Sequence, residues 1–247
     1  MLIHDAVVFV HVPKTAGESI VRYLIDHLPG QKTLVDEPDW PPASPGLPAV
    51  VRAKLRLKAM LKNSGLWLPR SLTIVAGKRH ARLFEIRDMF AAQGRCLGDC
   101  PAILAVVRNP YDLEVSRYHY LRRGYHGVSG RARSREQRIA MEHNFELFAL
   151  QAPFQGRLPA RIEEWYQLDG CMPANLRIVR FEHLEADLHR AIGKFCPVTG
   201  RLPRLNVVHH EPYASYVSPR TEEAIYNKYR WLFDRQFYRR EMEFVQS

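Results

Sequence analysis

Short apolar runs, each followed by a helical pattern, constrain the fold of this chain more than any other feature. The runs do not alternate with polar residues, which is typical of strands buried on both faces of a parallel sheet. The alternation of such strands with helices predicts an α/β fold: a parallel β-sheet flanked by helices on both faces, with ligands at the carboxyl ends of the strands. We predict strands at residues 6–12 (AVVFVHV), 72–78 (LTIVAGK), 102–108 (AILAVVR) and 176–182 (LRIVRFE).

Apolar spacing and turn signals predict where the first three helices lie. The first follows the loop after strand 6–12 and stops at Pro29-Gly30. The second covers residues 81–94, which have an apolar face and end in a glycine. The third starts at Pro110, which is tolerated in a first helical turn, and continues through residues 111–123.

The length of 247 residues suits one large α/β domain, and we predict a single domain spanning residues 1–247. Two segments break the alternation of strands and helices and are predicted to be surface insertions. Residues 36–70 begin with a proline-rich stretch, whereas residues 122–138 are basic and contain glycines.

Cysteine spacing and hydropathy indicate the compartment. No apolar run is long enough for a secretion signal or a membrane span, so we expect a cytoplasmic protein. The cysteines lack the clustered spacing of a zinc site, and we expect free thiols at Cys96, Cys100, Cys171 and Cys196.

An excess of positive charge points to an anionic partner. The chain has 36 Lys+Arg against 26 Asp+Glu, a net charge of +10, which fits nucleic acid, an acidic membrane surface, an anionic polymer or a phosphate-rich cofactor. Residues 51–63 (VRAKLRLKAMLKN) form an amphipathic basic pattern. That pattern is either a solvated helix face or a contact with an acceptor or a membrane surface.

The sequence HVPKTAGES at residues 11–19 has the composition of an anion-binding loop. A turn of small residues that leads into a helix offers phosphate or sulfate both backbone N–H groups and the positive end of the helix dipole. We predict a P-loop-like site with Lys14 as its cation. The donors would come from Thr15, Ala16, Gly17, Glu18 and Ser19.

The order of residues in this loop differs from that of a Walker nucleotide loop. Lys14 precedes Gly17 instead of following the last glycine, and the strand AILAVV ends in Arg108 instead of an aspartate that could hold magnesium. We therefore expect a phosphate ester bound without a metal. Glu18 could cap the helix, orient Lys14 or touch an acceptor, and we expect it to cap.

A second cluster, RNPYDLEVSRYHY at residues 108–120, follows the strand 102–108. Arg108 can pair with a phosphate through two N–H groups, and Ser116 can donate to the same phosphate from the following helix. The alternatives are a strand-end salt bridge for Arg108 and an ordinary helical serine. Two phosphate sites on neighbouring strands predict one ligand with two separated phosphates.

These segments resemble the nucleotide-binding motifs of sulfotransferases that use 3′-phosphoadenosine 5′-phosphosulfate (PAPS). VFVHVPKTAGES is similar to their 5′-phosphosulfate loop and VVRNPYDLEVSRYHY to their 3′-phosphate motif. KRHARLFEIRDMF, IVRFEHLEADL and LPRLNVV follow in the order found in carbohydrate 2-O-sulfotransferases and their soluble bacterial relatives. The resemblance implies PAPS as donor co-substrate and a hydroxyl of a carbohydrate, or of another small-molecule or lipid acceptor, as the group that is sulfated.

Sulfuryl transfer requires charge stabilisation at the leaving phosphate and a base for the attacking hydroxyl. Lys14 is expected to stabilise the charge, and His80, which directly follows the strand 72–78, is our first choice of base. A capping or structural histidine is the alternative reading of His80. The alternative bases are His119, His126 and Glu18, and Asn206 is a candidate for a late loop that folds over the nucleotide.

Two rival functions stay open at this point. A nucleotide-dependent kinase would also bind phosphates at strand ends, but it would depend on magnesium. A non-enzymatic basic module for nucleic acid or an anionic polymer would show steep salt dependence and no nucleotide preference. The sequence contains no recognised nucleic-acid motif, and nucleic acid is not an expected partner.

Overall fold

The computed structural model describes residues 1–36, 71–123, 134–154, 161–195, 200–205, 207 and 209–240. Several predictions of the sequence therefore lie outside the described residues. They are residues 37–70 of the insertion 36–70, with its basic pattern at 51–63, residues 124–133 of the basic insertion 122–138, and the single residues His126, Cys196 and Asn206. These predictions stay predictions.

A six-stranded sheet confirms the α/β fold. Its order is β4-β3-β1-β2-β5-β6. The strands are β1 (Leu2–His4), β2 (Val7–Phe9), β3 (Lys32–Asp36), β4 (Leu72–Ala76), β5 (Ala102–Val107) and β6 (Leu176–Arg180).

The sheet is mixed, although a parallel sheet was predicted. β2 pairs with β5, and β3 with β4, in parallel, but β1 runs antiparallel to both β2 and β3. Only two residues, Asp5 and Ala6, separate β1 from β2, and a connection of that length can join only antiparallel strands. The predicted strand 6–12 is accordingly short and ends at Phe9.

The described helices flank this sheet or form a helical group. They are α1 (Gly17–His27), α2 (Leu83–Ala91), α3 (Pro110–Arg122), α4 (Arg135–Glu142), α5 (Phe145–Gln151), α6 (Leu184–Ile192) and α7 (Pro219–Asp234). Short 3-10 turns cover Leu97–Asp99, Ile162–Trp165, Phe181–His183 and Tyr213–Tyr216. The three helices predicted from the sequence are α1, α2 and α3.

Two compact units can be distinguished along the chain. The first, the sheet unit, contains Met1–Val106 and Trp165–Leu205; the second, the helical unit, contains Val107–Glu164 and Asn206–Ser247. The single domain predicted for residues 1–247 is not tested by this division and stays a prediction.

The core of the sheet unit is formed by apolar side chains of the strands and of α1 and α6. Val7 and Phe9 of β2 and Leu104 of β5 are buried together with Ile20 and Leu24 of α1. The burial of these strand residues explains why the runs in the sequence are continuously apolar.

Three described cysteines are free thiols, as predicted: Cys96, Cys100 and Cys171. Among the described helices, none combines the length and the apolar character needed to cross a bilayer.

Candidate active site

The loop between β2 and α1 has an unusual backbone. Lys14 and Ala16 both adopt left-handed conformations, with φ of 62° and 60°, which residues other than glycine seldom do. The Thr15 hydroxyl donates to the carbonyl of Val12 at 3.0 Å and closes the turn from inside. The chain then enters α1 at Gly17, so that the N–H groups of the first helical turn lie at the loop, as an anion site requires.

The packing of the His11 ring requires a glycine at position 17. A Cβ at this position would lie 1.9 Å from Cδ2 and Nε2 of the His11 ring. His11 is buried, and its ring also contacts that of His80, with ring centroids 4.4 Å apart. The glycine therefore permits close packing of the helix start on the imidazole.

Ser19 links the first turn of α1 to a distant part of the chain. Its hydroxyl oxygen accepts a hydrogen bond from the N–H of Leu205 at 3.1 Å. Because a hydroxyl can accept and donate together, Ser19 retains a proton to donate to a bound anion. Leu205 directly precedes Asn206, which lies outside the described residues.

Glu18 pairs with an arginine that the sequence did not single out. Its Oε1 accepts from Nη1 of Arg79 at 3.0 Å, and Arg79 also donates to both carboxylate oxygens of Asp36, at 2.8 and 3.1 Å. The cap residue of α1 is Ala16. Glu18 is the acidic residue of the first turn of α1 and is ion-paired with Arg79, and its capping role stays a prediction. The only sequence signal for Arg79 is its place beside His80 at the end of a strand.

His80 lies in the turn between β4 and α2, and its contacts define its tautomer. Nδ1 is 2.8 Å from the carbonyl oxygen of His11, and since a carbonyl can only accept, Nδ1 carries the proton. The indole N–H of Trp165 donates to the His80 carbonyl at 3.2 Å. The neutral ring therefore has its lone pair on Nε2, the form that a general base needs.

Burial lowers the pKa of His80 to about 3, although the hydrogen bond to His11 opposes this effect and the charge of Arg79 adds to it. The pKa of His11 is also lowered well below its usual value, first by burial and then by His80. Both imidazoles are consequently neutral at physiological pH.

Arg108 and Ser116, the second predicted phosphate site, lie in the helical unit. Both are buried, and Arg108 donates to Oδ2 of Asp112 through Nε at 2.8 Å and Nη2 at 2.7 Å. The start of α3 is capped by Asn109, whose Oδ1 accepts from the N–H of Tyr111 at 2.9 Å. Asp112 therefore orients Arg108, while the cap comes from the neighbouring asparagine.

The same helix carries a buried ionic cluster that the sequence pattern does not reveal. Glu114 is fully buried and accepts from Arg117 and from Lys228, each at 2.5 Å, and from the hydroxyl of Tyr229. Burial opposes ionisation of Glu114, but the charges of Arg117 and Lys228 outweigh it and lower the pKa of the carboxyl. Charged residues at these positions in the sequence read as an exposed helix face, and only their tertiary partners explain the burial.

His119, an alternative base, has its own partners in the helical unit. Its Nε2 lies 2.8 Å from the Tyr216 hydroxyl, and its ring stacks on His210 with centroids 5.5 Å apart. Burial lowers the pKa of His119, and the neighbouring His210 and Arg122 act in the same direction. In the described part of the chain, no three His, Cys, Asp or Glu side chains are grouped closely enough to hold a metal ion.

Comparison with protein families identifies the chain. The model of the sulfotransferase domain matches residues 99–236, more than half of the sequence, including β5 and the Arg108–Ser116 segment. No match was found among curated proteins or among solved structures. The chain belongs to the sulfotransferase domain family and is an enzyme that transfers a sulfuryl group from PAPS.

Proposed function

We propose that this enzyme sulfates a hydroxyl group of a carbohydrate or of another small-molecule or lipid acceptor, with His80 as the base. The observation that carries the proposal is the tautomer of His80, whose Nδ1–H is held by the His11 carbonyl at 2.8 Å. A fixed, neutral imidazole with its lone pair on Nε2 can accept a hydroxyl proton, although a pKa of about 3 makes this ring a weaker base than an ordinary histidine.

In this proposal the donor's 5′-phosphosulfate is bound by the loop of the sheet unit. The left-handed residues Lys14 and Ala16 and the start of α1 at Gly17 support this assignment, because successive N–H groups in such a turn make an anion-binding concavity. Glu18 and Ser19 complete the first turn. Thr15 contributes through its backbone N–H, since its hydroxyl is used within the loop.

Arg108 and Ser116 are assigned to the donor's 3′-phosphate. The orientation of Arg108 by Asp112 supports this role, because an anchored guanidinium loses less entropy when it binds a phosphate. We also assign Asn206 to the nucleotide site, because its neighbour Leu205 is hydrogen-bonded to Ser19 in the first turn of α1.

The proposed reaction is an in-line displacement at sulfur. The acceptor oxygen forms a bond to sulfur, the bond from sulfur to the 5′-phosphate oxygen breaks, and the hydroxyl proton passes to Nε2 of His80. The product 3′-phosphoadenosine 5′-phosphate (PAP) leaves with the bonding electrons. Lys14 stabilises the charge that builds on its phosphate, as in phosphoryl transfer.

The carbohydrate acceptor, a cytoplasmic location and a membrane-surface contact through residues 51–63 are further parts of the proposal. The acceptor class is supported by the order of the sequence motifs. Three free thiols support a reducing compartment.

The test is transfer of radiolabelled sulfuryl from PAPS to a panel of glycans, glycolipids and simple hydroxy lipids, by the wild type and by His80→Asn. We expect a labelled product with at least one panel member and a decrease of kcat by about 100-fold or more in the variant, with unchanged PAP affinity. A variant with the kcat of the wild type would refute the role of His80. Binding of PAP without transfer to any panel member would refute the acceptor class.

A further inference from the structure

The turn that carries His80 contacts the first turn of α1 through the side chain of Arg79, in addition to the contacts of His11 with His80 and Gly17. We propose that Arg79 is a positioning residue for sulfuryl transfer, which holds the His80 turn against the first turn of α1 through Asp36 and Glu18. The inference rests on the proposed function, because it gives His80 and the loop their catalytic roles.

The contact with Asp36 fixes the turn to the sheet. Nε and Nη2 of Arg79 donate to the two carboxylate oxygens of Asp36, at 2.8 and 3.1 Å. Asp36 is the last residue of β3, is buried, and lies opposite Ala76 in the parallel pairing with β4. A two-point contact to a strand end leaves little rotational freedom to the guanidinium, and hence to the backbone at residue 79.

The same guanidinium also contacts the loop side of the site, through Glu18. Nη1 donates to Oε1 of Glu18 at 3.0 Å, and the side chains of Arg79 and Glu18 are only 15% and 21% exposed. Glu18 belongs to the first turn of α1, the turn assigned to the phosphosulfate. A displacement of that turn is thereby transmitted to the residue next to His80.

The positive charge of Arg79 has a second effect, on the affinity for the donor. Glu18 is an acidic residue in a turn that is proposed to bind an anion, and an uncompensated carboxylate there would repel the donor. Its ion pair with Arg79 offsets that repulsion. Loss of Arg79 should therefore weaken donor binding, and removal of the Glu18 charge should restore it.

Lysine could not replace Arg79 in both roles. Three different nitrogens of Arg79 reach two carboxylates, whereas a lysine is a single point charge without a planar fork. Arg79→Lys keeps the charge but loses the geometry. This difference separates the electrostatic effect on donor affinity from the positional effect on kcat.

The experiment compares Arg79→Met, Arg79→Lys and the double variant Arg79→Met/Glu18→Gln with the control Arg87→Met. Arg87 also pairs with a carboxylate in the sheet unit, that of Asp169, but the two side chains are 39% and 86% exposed. For each protein, PAP affinity is measured by calorimetry and the melting temperature by circular dichroism, and kcat is measured with saturating PAPS and the acceptor of the panel above that the wild type labels.

In Arg79→Met we expect PAP affinity to fall by about 10-fold and kcat by about 10-fold or more, because small displacements of a base are costly. In the double variant PAP affinity should return to within about 3-fold of the wild type, while kcat stays low. Arg79→Lys should behave like the double variant. The control should match the wild type in all three measurements.

Values of kcat in Arg79→Met and Arg79→Lys that equal those of the control would overturn the inference. So would recovery of kcat in the double variant, since Arg79 would then act through charge alone. If Arg79→Met does not fold, Arg79→Lys decides. His80→Asn is assayed in parallel: if it retains kcat while Arg79→Lys loses it, the proposed base is wrong and the link between turn and loop stands.

Discussion

Gly17 packs directly on the imidazole of His11, since a Cβ at residue 17 would lie 1.9 Å from two atoms of that ring. The ring cannot move without cost, because it is buried and contacts His80. One methyl group at the loop would thus disturb the imidazole pair and the helix start together.

The first prediction is therefore that Gly17→Ala loses donor binding. We expect a loss of about 2 kcal/mol in the free energy of unfolding from overpacking and a decrease of PAP affinity of about 10-fold or more. Urea unfolding and calorimetry measure the two effects. Gly98→Ala is the control, because the nearest atom to its Cβ, Sγ of Cys96, is 3.4 Å away. Equal PAP affinities in the two variants would contradict the prediction.

Stability should decrease in acid because of His80. Its pKa is lowered from 6.5 to about 3 by burial, so between these pH values the unfolded chain binds a proton that the folded chain does not. This stabilisation is present above pH 6.5 and is lost as the pH falls toward 3, by about 2.5 kcal/mol between pH 7 and 4.5. His11 acts in the same direction.

Urea unfolding of the wild type and of His80→Gln across this pH range measures the effect. The glutamine cannot titrate, so its free energy of unfolding should depend less steeply on pH. Parallel curves would show that His80 titrates normally in the folded protein.

Arg108 should determine preference for the 3′-phosphate. In Arg108→Ala, we expect PAP to bind about 100-fold more weakly, whereas adenosine diphosphate should bind as it does to the wild type. Asp112→Asn keeps the guanidinium and loosens its orientation, so a smaller loss of about 5-fold is expected. Calorimetry, with and without magnesium, measures the affinity of each variant for the two nucleotides. A similar loss for both nucleotides would show that Arg108 has no specific phosphate role.

Lys14 should affect kcat more than donor affinity. We expect Lys14→Met, which keeps the apolar part of the side chain, to lower kcat by about 100-fold or more and PAP affinity by less than about 10-fold. This pattern follows if the charge acts mainly on the leaving phosphate as it forms. Steady-state kinetics with PAPS and calorimetry with PAP separate the two quantities, and a change in affinity alone would argue against catalysis by Lys14.

The cluster around Glu114 should stabilise the helical unit. Glu114→Gln removes the carboxylate shared by the buried cations Arg117 and Lys228, of which Arg117 keeps its pair with Glu136, and we expect a loss of about 3 kcal/mol in stability. Glu146→Gln breaks an exposed pair with Arg220, whose side chains are 40% and 69% exposed, and should cost less than about 0.5 kcal/mol. Thermal unfolding compares the variants, and similar melting temperatures would refute the structural role.

Elements with long apolar patterns could be predicted from the sequence, and short ones could not. The strands β2, β4, β5 and β6 and the first three helices correspond to predicted segments. β1 has only three residues, too few for a periodic pattern, and β3 begins with a buried lysine, Lys32. The antiparallel β1 was missed for this reason, and so was the mixed character of the sheet.

The residues of the candidate site also differ in how far a local sequence pattern could predict them. The loop residues and His80 could be located because each follows a recognisable strand. Arg79, Trp165 and Asp36 could not be assigned, because their importance arises from partners far away in the chain, as in the hydrogen bond from Trp165 to the carbonyl of His80. Local patterns contain no information about such contacts.

The sheet unit is assembled from two stretches of chain, Met1–Val106 and Trp165–Leu205. Several of its contacts join the first stretch to the second, among them the hydrogen bonds from Trp165 to His80 and from Leu205 to Ser19. During synthesis, these contacts must wait until residues 107–164 have emerged from the ribosome. The loop before α1 is thus synthesised early, but its hydrogen bond with Leu205 can form only late in translation, and such long-range contacts favour slow folding and exposure of the nascent sheet.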